Sequence, residues 1–240
     1  MLHKVNLLCP ICHGEKTYFE ETDEMNPVNC YICSASFLPD SVCKNGHYVC
    51  HMCRQKNARK AIMKYCLRSK EKQPYRLLKK LMQLPEVAMH GPEHHFLLPA
   101  ALLTTYCNEK EKKEALLSLL EEANARSIEV PGGACGYYGI CGAAIGAGIY
   151  TSILSETDPY SEAEWKALGL LTAEIGREIA QNGGPRCCKR NAFLALPSVI
   201  MHSNQAFATH FTSPKNKTCI FYSNNEECKR KACAFFPSKS

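Results

Sequence analysis

Cys43-Lys-Asn-Gly-His47-Tyr-Val-Cys50-His-Met-Cys53 is the stretch that decides how the N-terminal part of this chain folds. It spaces three cysteines and one histidine so that their side chains can converge on one tetrahedral ion. Two further pairs precede it, Cys9-x2-Cys12 and Cys30-x2-Cys33. The mixed sulfur and nitrogen set favours zinc over an iron site. We therefore predict a zinc module over residues 1–53 that binds two ions, of the zinc-ribbon, treble-clef or RING-like kind, with short β-hairpins near residues 16–20 and 48–49.

The spacing leaves the pairing of the eight predicted ligands open. Sequential pairing gives one all-cysteine site and one site of three cysteines and a histidine: Cys9, Cys12, Cys30 and Cys33, then Cys43, His47, Cys50 and Cys53. A cross-brace instead joins the first pair with Cys43 and His47, and the second pair with Cys50 and Cys53. The later segment is similar to the middle of a RING finger, but a RING needs a further cysteine pair downstream. Only Cys66 follows nearby, so a structural or docking module is favoured over a ubiquitin ligase.

Cysteine usage also predicts the compartment. The chain has 16 cysteines in 240 residues. No signal peptide is recognisable, because Met1-Leu2-His3-Lys4 leads directly towards Cys9. Cysteine density without a secretory signal predicts metal ligation or thiol chemistry in a reducing cytoplasm rather than a disulfide framework.

The segment from residue 54 to 84 is basic and predicted to be helical, with an interruption at Pro74. Between Arg54 and Lys80 there are eleven Lys or Arg and one acid, Glu71, whereas the whole chain has a net charge of +6. A cationic ridge recurs every four residues: Lys56, Lys60, Lys64, Arg68 and Lys72. Ala58, Ala61, Ile62 and Tyr65 form the opposing apolar stripe. A solvated helix face is the ordinary explanation of such a charge run, and binding of nucleic acid, such as a structured RNA, through residues 54–80 is the alternative.

The remainder, residues 85–240, is predicted to be a mainly α-helical, cysteine-rich domain. The predicted helices span residues 92–107, 110–125, 141–154, 161–182 and 185–205, and Pro99 and Pro197 should kink or split two of them. The uncharged stretch from residue 130 to 155 is long enough for a bilayer. Its seven glycines favour a buried helix with close packing, so no membrane contact is expected.

Three later segments each place proline or glycine before reactive side chains. In His90-Gly91-Pro92-Glu93-His94-His95, Pro92 suits the first helical position and places both final histidines in the first turn, although a solvated helix start would look the same. Pro185 should likewise place Cys187 and Cys188 in the first turn of a helix. The glycines before Cys141 should place it at the start of an Ala/Gly-rich helix. Helix N-termini stabilise thiolates. The predicted roles are ligand or nucleophile for Cys187 and Cys188, ligand or resolving thiol for Cys135 and Cys141, and ligand or proton carrier for His90 and His94.

The last cysteines are Cys219, Cys228 and Cys233. Their spacing matches no ferredoxin pattern, but three cysteines among Lys and Arg suit an iron–sulfur cluster or a third zinc. A fourth ligand has to come from elsewhere, and Cys187, Cys188 or a histidine are the candidates. Free structural cysteines are the alternative.

These motifs together resemble an uncharacterised family of cysteine-rich prokaryotic proteins, a domain of unknown function seen mainly in anaerobic bacteria and methanogenic archaea. The resemblance covers nearly the whole chain and rests on Gly46-His47-Tyr48-Val49-Cys50, residues 89–95, Val130-Pro131-Gly132-Gly133, residues 141–148, residues 183–190, and Cys228-x4-Cys233 with Phe235-Phe236-Pro237. It implies the cytoplasm of an anaerobe. It also implies a methyltransferase-like partner, because some relatives are joined to methyltransferase-like domains. It brings no established reaction.

The sequence therefore predicts a metal-binding protein with two zinc ions in the N-terminal module. The helical domain is predicted to hold an iron–sulfur or other metal–thiolate centre for redox or sulfur-transfer chemistry, with a redox protein as a further partner. The chemistry is expected at Cys187, Cys188, Cys141 and His94. The alternative is a zinc-dependent RNA-binding module without catalysis. No Ser-His-Asp order, phosphate loop or dinucleotide fingerprint is present.

Overall fold

The computed structural model describes residues 9–19, 25–215 and 217–237 of the chain. Within these ranges a small β-containing module precedes a helical domain, as predicted. The strands are β1 Lys16–Tyr18, β2 Val28–Asn29, β3 Ser36–Phe37 and β4 Ser41–Cys43. The helices are α1 His51–Arg68, α2 Pro74–Leu81, α3 Glu93–Glu109, α4 Leu116–Ile128, α5 Ala134–Tyr137, α6 Gly142–Leu154, α7 Ala163–Gln181 and α8 Cys188–Ala206.

The N-terminal module consists of two antiparallel strand pairs. β1 pairs with β4, which places Lys16 opposite Cys43, and β2 pairs with β3. The strand predicted at Tyr48 and Val49 is wrong, because both residues lie in an irregular stretch and are buried in the small core of the module. Glu20, the end of the predicted first strand, lies outside the described residues.

The helices of the second domain confirm the predicted pattern, with differences at their starts. Both helices that contain a proline are continuous through it, α3 at Pro99 and α8 at Pro197, so neither is split. Pro185 does not begin α8: it follows a cis peptide bond, and α8 begins at Cys188 with Cys187 as its N-cap. The first turn of α3 is buried rather than solvated.

Helix α3 lies at the centre of the helical domain and is buried on nearly every side. It packs against α1, α2, α4 and α6. Helix α6 comes especially close, because a Cβ atom on Gly142 would lie 2.0 Å from the ring of His95 and one on Gly146 would lie 3.0 Å from Pro99. The glycines therefore allow this crossing. No helix among the described residues is long and apolar enough to cross a membrane.

Arg59 is a buried cation that joins three helices. Its guanidinium donates to Oγ of Ser127 (2.6 Å) near the end of α4 and to the carbonyl of Pro92 (3.1 Å) before α3. Arg59 directly precedes Lys60 and therefore lies on a different face of α1 from the exposed Lys56 and Lys60. Arg59 therefore ties the basic helix to the two helices beneath it.

Candidate metal centres

The first metal-ligand group is formed by Cys9, Cys12, Cys43 and His47, whose ligand atoms lie within 4.8 Å of one another. Cys12 and Cys43 sulfurs are 3.8 Å apart, and Nδ1 of His47 lies 3.3 Å from Cys12 and 3.5 Å from Cys43. A tetrahedral zinc ion with bonds of about 2.3 Å to sulfur holds its sulfurs about 3.8 Å apart. The geometry fits one such ion with Nδ1 as the nitrogen ligand.

The second group is formed by Cys30, Cys33, Cys50 and Cys53. Cys30 and Cys33 lie on the turn between β2 and β3, whereas Cys50 caps helix α1 and Cys53 lies in its first turn. The sulfurs of Cys33 and Cys50 are 3.9 Å apart. The two groups thus interleave along the chain, which is the cross-brace alternative, and the sequential alternative is wrong.

Backbone N–H groups stabilise thiolates in both groups. Hydrogen bonds from Gly14, then from Asn45 and His47, lower the pKa of Cys12 to about 6. Burial raises the pKa of Cys30, but the N–H groups of Cys50 and Cys33 outweigh it, and the pKa falls to about 6. Thiols that lose protons this readily exchange them for a divalent cation near neutral pH.

A third concentration of cysteines lies at the start of α8. Cys187 and the three last cysteines, Cys219, Cys228 and Cys233, line one pocket together with Arg190 and Asn225. We call these four residues the cysteine pocket. Among the described residues, only the two N-terminal groups bring three or more ligand atoms within 4.8 Å of one another. The sulfurs of the cysteine pocket are therefore spread more widely than the ligands of one zinc ion.

Hydrogen-bond donors point at three of these four sulfurs. The N–H of Arg190 lies 3.4 Å from the sulfur of Cys187, which is the N-cap of α8. The N–H of Phe221 lies 3.3 Å from the sulfur of Cys219, and that of Arg230 lies 3.3 Å from Cys228. Donors in these positions stabilise negative charge on sulfur.

Two buried cations adjoin the cysteine pocket. Lys189 is 3% exposed and Arg190 is 5% exposed. The Lys189 ammonium donates to the carbonyl of Met82 (2.9 Å) and lies 4.5 Å from the ring centroid of Phe221, while Arg190 donates to the carbonyls of Gly183 and Pro185. Among the described residues, no carboxylate oxygen lies within 4.0 Å of either cation. Burial lowers the pKa of Lys189 to about 8. The buried carboxyl of Glu93 interacts electrostatically with Lys189, and thiolates in the pocket would place further negative charge beside both cations.

Cys135, Cys141 and Cys188 lie outside the lining of the cysteine pocket. Cys141 caps α6, and its sulfur accepts a hydrogen bond from Asn191 Nδ2 at 3.2 Å. Burial raises the pKa of Cys188 to about 12 despite a hydrogen bond from the Gly91 N–H. The structure therefore divides the predicted C-terminal site residues into the four of the pocket and a neighbouring group of three thiols.

The predicted histidines line neither group directly. His90 reaches the cysteine pocket through Asn225, whose Oδ1 lies 3.1 Å from Nε2 of His90 and whose Nδ2 lies 3.8 Å from the sulfur of Cys187. His94 is fully enclosed, and its Nε2 donates to the carbonyl of Ala88 at 2.9 Å. Burial holds the pKa of His94 well below its usual value, so this ring is neutral. Neither histidine has a partner for Nδ1 among the described residues.

Sequence reasoning missed two polar residues around these sulfurs. Asn225 links His90 to Cys187, and Asn191 binds Cys141. Arg190, which the sequence places beside Cys187 and Cys188, lines the pocket as expected. Asn191 lies in the first turn of α8, next to these cysteines in sequence, which is a signal that could have been used. Asn225 lies in an irregular loop and gives no such signal.

Fold and ligand groups together define a mainly helical, cysteine-rich protein with two four-ligand metal groups at one end. The family of unknown function DUF5714 matches residues 62–236, and the chain belongs to this family. The match confirms the predicted resemblance to an uncharacterised family; the distribution of that family among anaerobes stays a prediction. No curated protein and no solved structure matches the chain. The matched range includes every residue of the cysteine pocket.

Proposed function

We propose that this protein binds an iron–sulfur cluster at Cys187, Cys219, Cys228 and Cys233 and uses it for redox or sulfur-transfer chemistry. The observation that carries the proposal is the convergence of Cys187 and three cysteines of the C-terminal segment on one pocket beside two buried cations. Two zinc ions in the N-terminal groups would have a structural role. All sixteen cysteines are free, which supports a reducing compartment such as the cytoplasm of an anaerobe.

The spread of the sulfurs supports a cluster over a single ion. Cysteines that bind different irons of one cluster are further apart than four ligands of one zinc. No three sulfurs of the cysteine pocket lie within 4.8 Å of one another, whereas the ligand atoms of both N-terminal groups do. A mononuclear zinc site would require these side chains to contract around the ion.

Charge supports a redox role. Four thiolate ligands give an iron–sulfur centre a net negative charge, and each added electron increases that negative charge. The N–H donors to sulfur and the cations Lys189 and Arg190 stabilise the more negative, reduced state and therefore raise the reduction potential. The neighbouring thiols of Cys141 and Cys188 would be the groups that take part in sulfur or electron transfer. A redox protein or a methyltransferase-like protein would be the partner.

The test is metal analysis of protein purified without oxygen. We expect two zinc ions and iron with acid-labile sulfide, together with the broad visible absorption of an iron–sulfur centre. Cys219→Ser and Cys233→Ser should lose the iron, because each removes a ligand, while both zinc ions remain. Cys107→Ala is the matched control, since Cys107 is buried away from every ligand group.

An iron-free and colourless anaerobic preparation that contains only zinc would contradict the proposal. If Cys135→Ser loses its iron while Cys233→Ser keeps it, the centre lies instead at the neighbouring thiols Cys135, Cys141 and Cys188. Electron paramagnetic resonance of the reduced protein then distinguishes a redox-active cluster from an inert one.

A further inference from the structure

We propose that helix α1 and the loop after it bind a single-stranded polynucleotide, through a surface separate from the cysteine pocket. We call this surface the basic ridge. Each of its cations is exposed: Lys56, Lys60, Lys64 and Arg68 on α1, and Lys72 in the loop that follows. Spacing of four residues places the helical members on one slowly winding face. The proposal goes beyond the proposed function and does not depend on the cluster.

Within residues 9–19, 25–215 and 217–237, no acid forms an ion pair with the basic ridge. The single acid between residues 54 and 80 is Glu71, and its carboxylate pairs with Lys80 at 3.5 Å. Arg54, the cation before the ridge, pairs with Asp40 at 2.8 Å. Among the described residues, no carboxylate oxygen lies within 4.0 Å of a ridge cation. Like charges one turn apart destabilise a helix, so a polyanion bound along the ridge would stabilise it.

The apolar face of α1 excludes a membrane surface as the preferred ligand. Ala58, Ile62 and Cys66 are buried, and α1 packs against α3 and α4. A helix that binds a lipid interface has to insert a free apolar face. Met52 in the first turn of α1 is exposed, but between residues 54 and 80, where the ridge lies, no large apolar side chain is exposed. The ridge therefore offers charge alone, which suits a phosphate backbone.

Length and regularity also fit a phosphate backbone. The thirteen residues from Lys56 to Arg68 span about 18 Å of helix. That is the length of several nucleotides of a strand, so more than one cation can bind phosphate at once. A compact acidic ligand would contact only part of this row.

An exposed aromatic ring at the N-terminal end of α1 favours unpaired bases. Tyr31 is 61% exposed and lies between the ligands Cys30 and Cys33, which share a metal group with the first turn of α1. Its ring contacts the His47 ring edge-on, with centroids 4.8 Å apart, and this contact fixes its position. A base freed from pairing can stack on such a ring, whereas a base inside a duplex cannot.

The experiment measures binding of the zinc-loaded full chain to fluorescent oligouridine RNA by anisotropy over a range of salt concentrations. The ridge variant carries Lys56→Gln, Lys60→Gln and Lys64→Gln. The matched control carries Lys113→Gln, Lys166→Gln and Arg177→Gln, which removes three exposed cations elsewhere. For a single strand, each phosphate contact contributes about 0.7 to the slope of log affinity against log salt. The slope should therefore be about 2 smaller for the ridge variant and unchanged for the control. Tyr31→Ala should weaken binding about tenfold or more without a change in slope.

Several outcomes would overturn the proposal. These are equal losses in the ridge and control variants, no salt-dependent binding, tighter binding to duplex DNA than to the single strand, and binding to phosphatidylserine vesicles in place of the oligonucleotide. An oligodeoxyuridine arm shows whether the 2′-hydroxyl contributes. Zinc content and helical circular dichroism confirm that each variant is folded, and single Lys→Gln variants, each expected to lose about 0.7 in slope, replace the triple variant if it is not. Iron content of the ridge variant should equal that of the wild type, so failure here leaves the proposed cluster untouched.

Discussion

Gly142 shows how little space separates α6 from α3. A methyl group on this residue would lie 2.0 Å from Cδ2 and 2.5 Å from Nε2 of His95, whose ring is itself buried and hydrogen-bonded to the carbonyl of Val130. We expect Gly142→Ala to lower the free energy of unfolding by about 1–3 kcal/mol, because the two helices have to move apart. Urea unfolding followed by circular dichroism measures the change.

Gly169→Ala is the matched control for that substitution. Gly169 lies within α7, and nothing lies within 4 Å of the position its Cβ would take. Alanine there should raise stability by about 0.5–1 kcal/mol, since it lowers the entropy of the unfolded chain. If both substitutions change stability equally and in the same direction, the crossing of α6 and α3 is less tight than the distances indicate.

His94 and His95 predict how stability depends on pH. Burial lowers the pKa of both rings below the usual value of 6.5. Below pH 6.5 the unfolded chain binds protons that the folded chain does not, so stability falls as pH falls through this range. Each histidine contributes at most about 1.4 kcal/mol per pH unit. Urea unfolding at several pH values should give a shallower loss for His94→Gln than for the wild type.

Comparison with a second variant separates this effect from proton uptake by the metal ligands. The side chain of His210 is 90% exposed, so water screens its pair with Glu109, and His210→Gln should stay close to the wild-type curve. The metal ligands are the same in all three proteins, so their contribution cancels in the differences. Parallel curves for His94→Gln and the wild type would show that the buried ring takes up its proton without a cost.

At the level of elements, the zinc module shows what spacing can and cannot predict. The eight ligands follow from the C-x2-C pairs and His47, because each short turn brings two side chains to one ion. The pairing does not follow, because it depends on which strands join. β1 pairs with β4, which brings Cys9 and Cys12 beside Cys43, and no feature of the spacing encodes that long-range contact.

Cadmium substitution tests the pairing directly. In protein loaded with ¹¹³Cd, one metal resonance should couple to the β-protons of Cys9, Cys12 and Cys43. The other should couple to those of Cys30, Cys33, Cys50 and Cys53. A resonance coupled to both Cys12 and Cys30 would contradict the cross-brace, since these two ligands share an ion only in the sequential arrangement.

The helix starts show a second limit of sequence reasoning. Helical periods and Gly or Pro positions located most of the long helices within three residues, whereas α4 begins six residues after its predicted start. The start of α8 was placed too early, because Pro185 precedes the helix and Cys187 is its N-cap, with a sulfur that accepts a hydrogen bond from the Arg190 N–H. The sequence predicted that the late cysteines come together, but it did not predict which of them share one site. Which of them form the cysteine pocket depends on how residues 207–237 dock on α8.

For the whole molecule, the C-terminal segment is the part whose placement depends most on the proposed cluster. Between residues 207 and 237 the described residues form only short 3₁₀ turns and no long helix or strand. They dock through a few buried rings such as Phe211 and Phe221, and through an edge-on contact between Phe235 and Phe193 of α8. Three of the four proposed cluster ligands lie in this segment, so a bound cluster would fasten it to α8.

Limited proteolysis tests that dependence. In Cys233→Ser purified without oxygen, trypsin should cleave at Lys229, Arg230 or Lys231 faster than in the wild type, because loss of the cluster permits local opening. Mass spectrometry identifies the sites. Cys107→Ala is again the control and should be cleaved at the wild-type rate. Equal rates in all three proteins would mean that ring packing alone holds the segment.

Helix α1 is one continuous helix that contributes residues both to the N-terminal module and to the helical domain. Its N-cap Cys50 and Cys53 of its first turn belong to a metal group, and its fourth and fifth turns bury Ile62 and Cys66 in the helical core. A cut after residue 53, to isolate either half, would therefore break α1 within its first turn. It would also expose the apolar face of α1 that packs against α3. A shortened form that retains α1 keeps that surface covered, so truncation should remove residues before Cys50 and leave the helix intact.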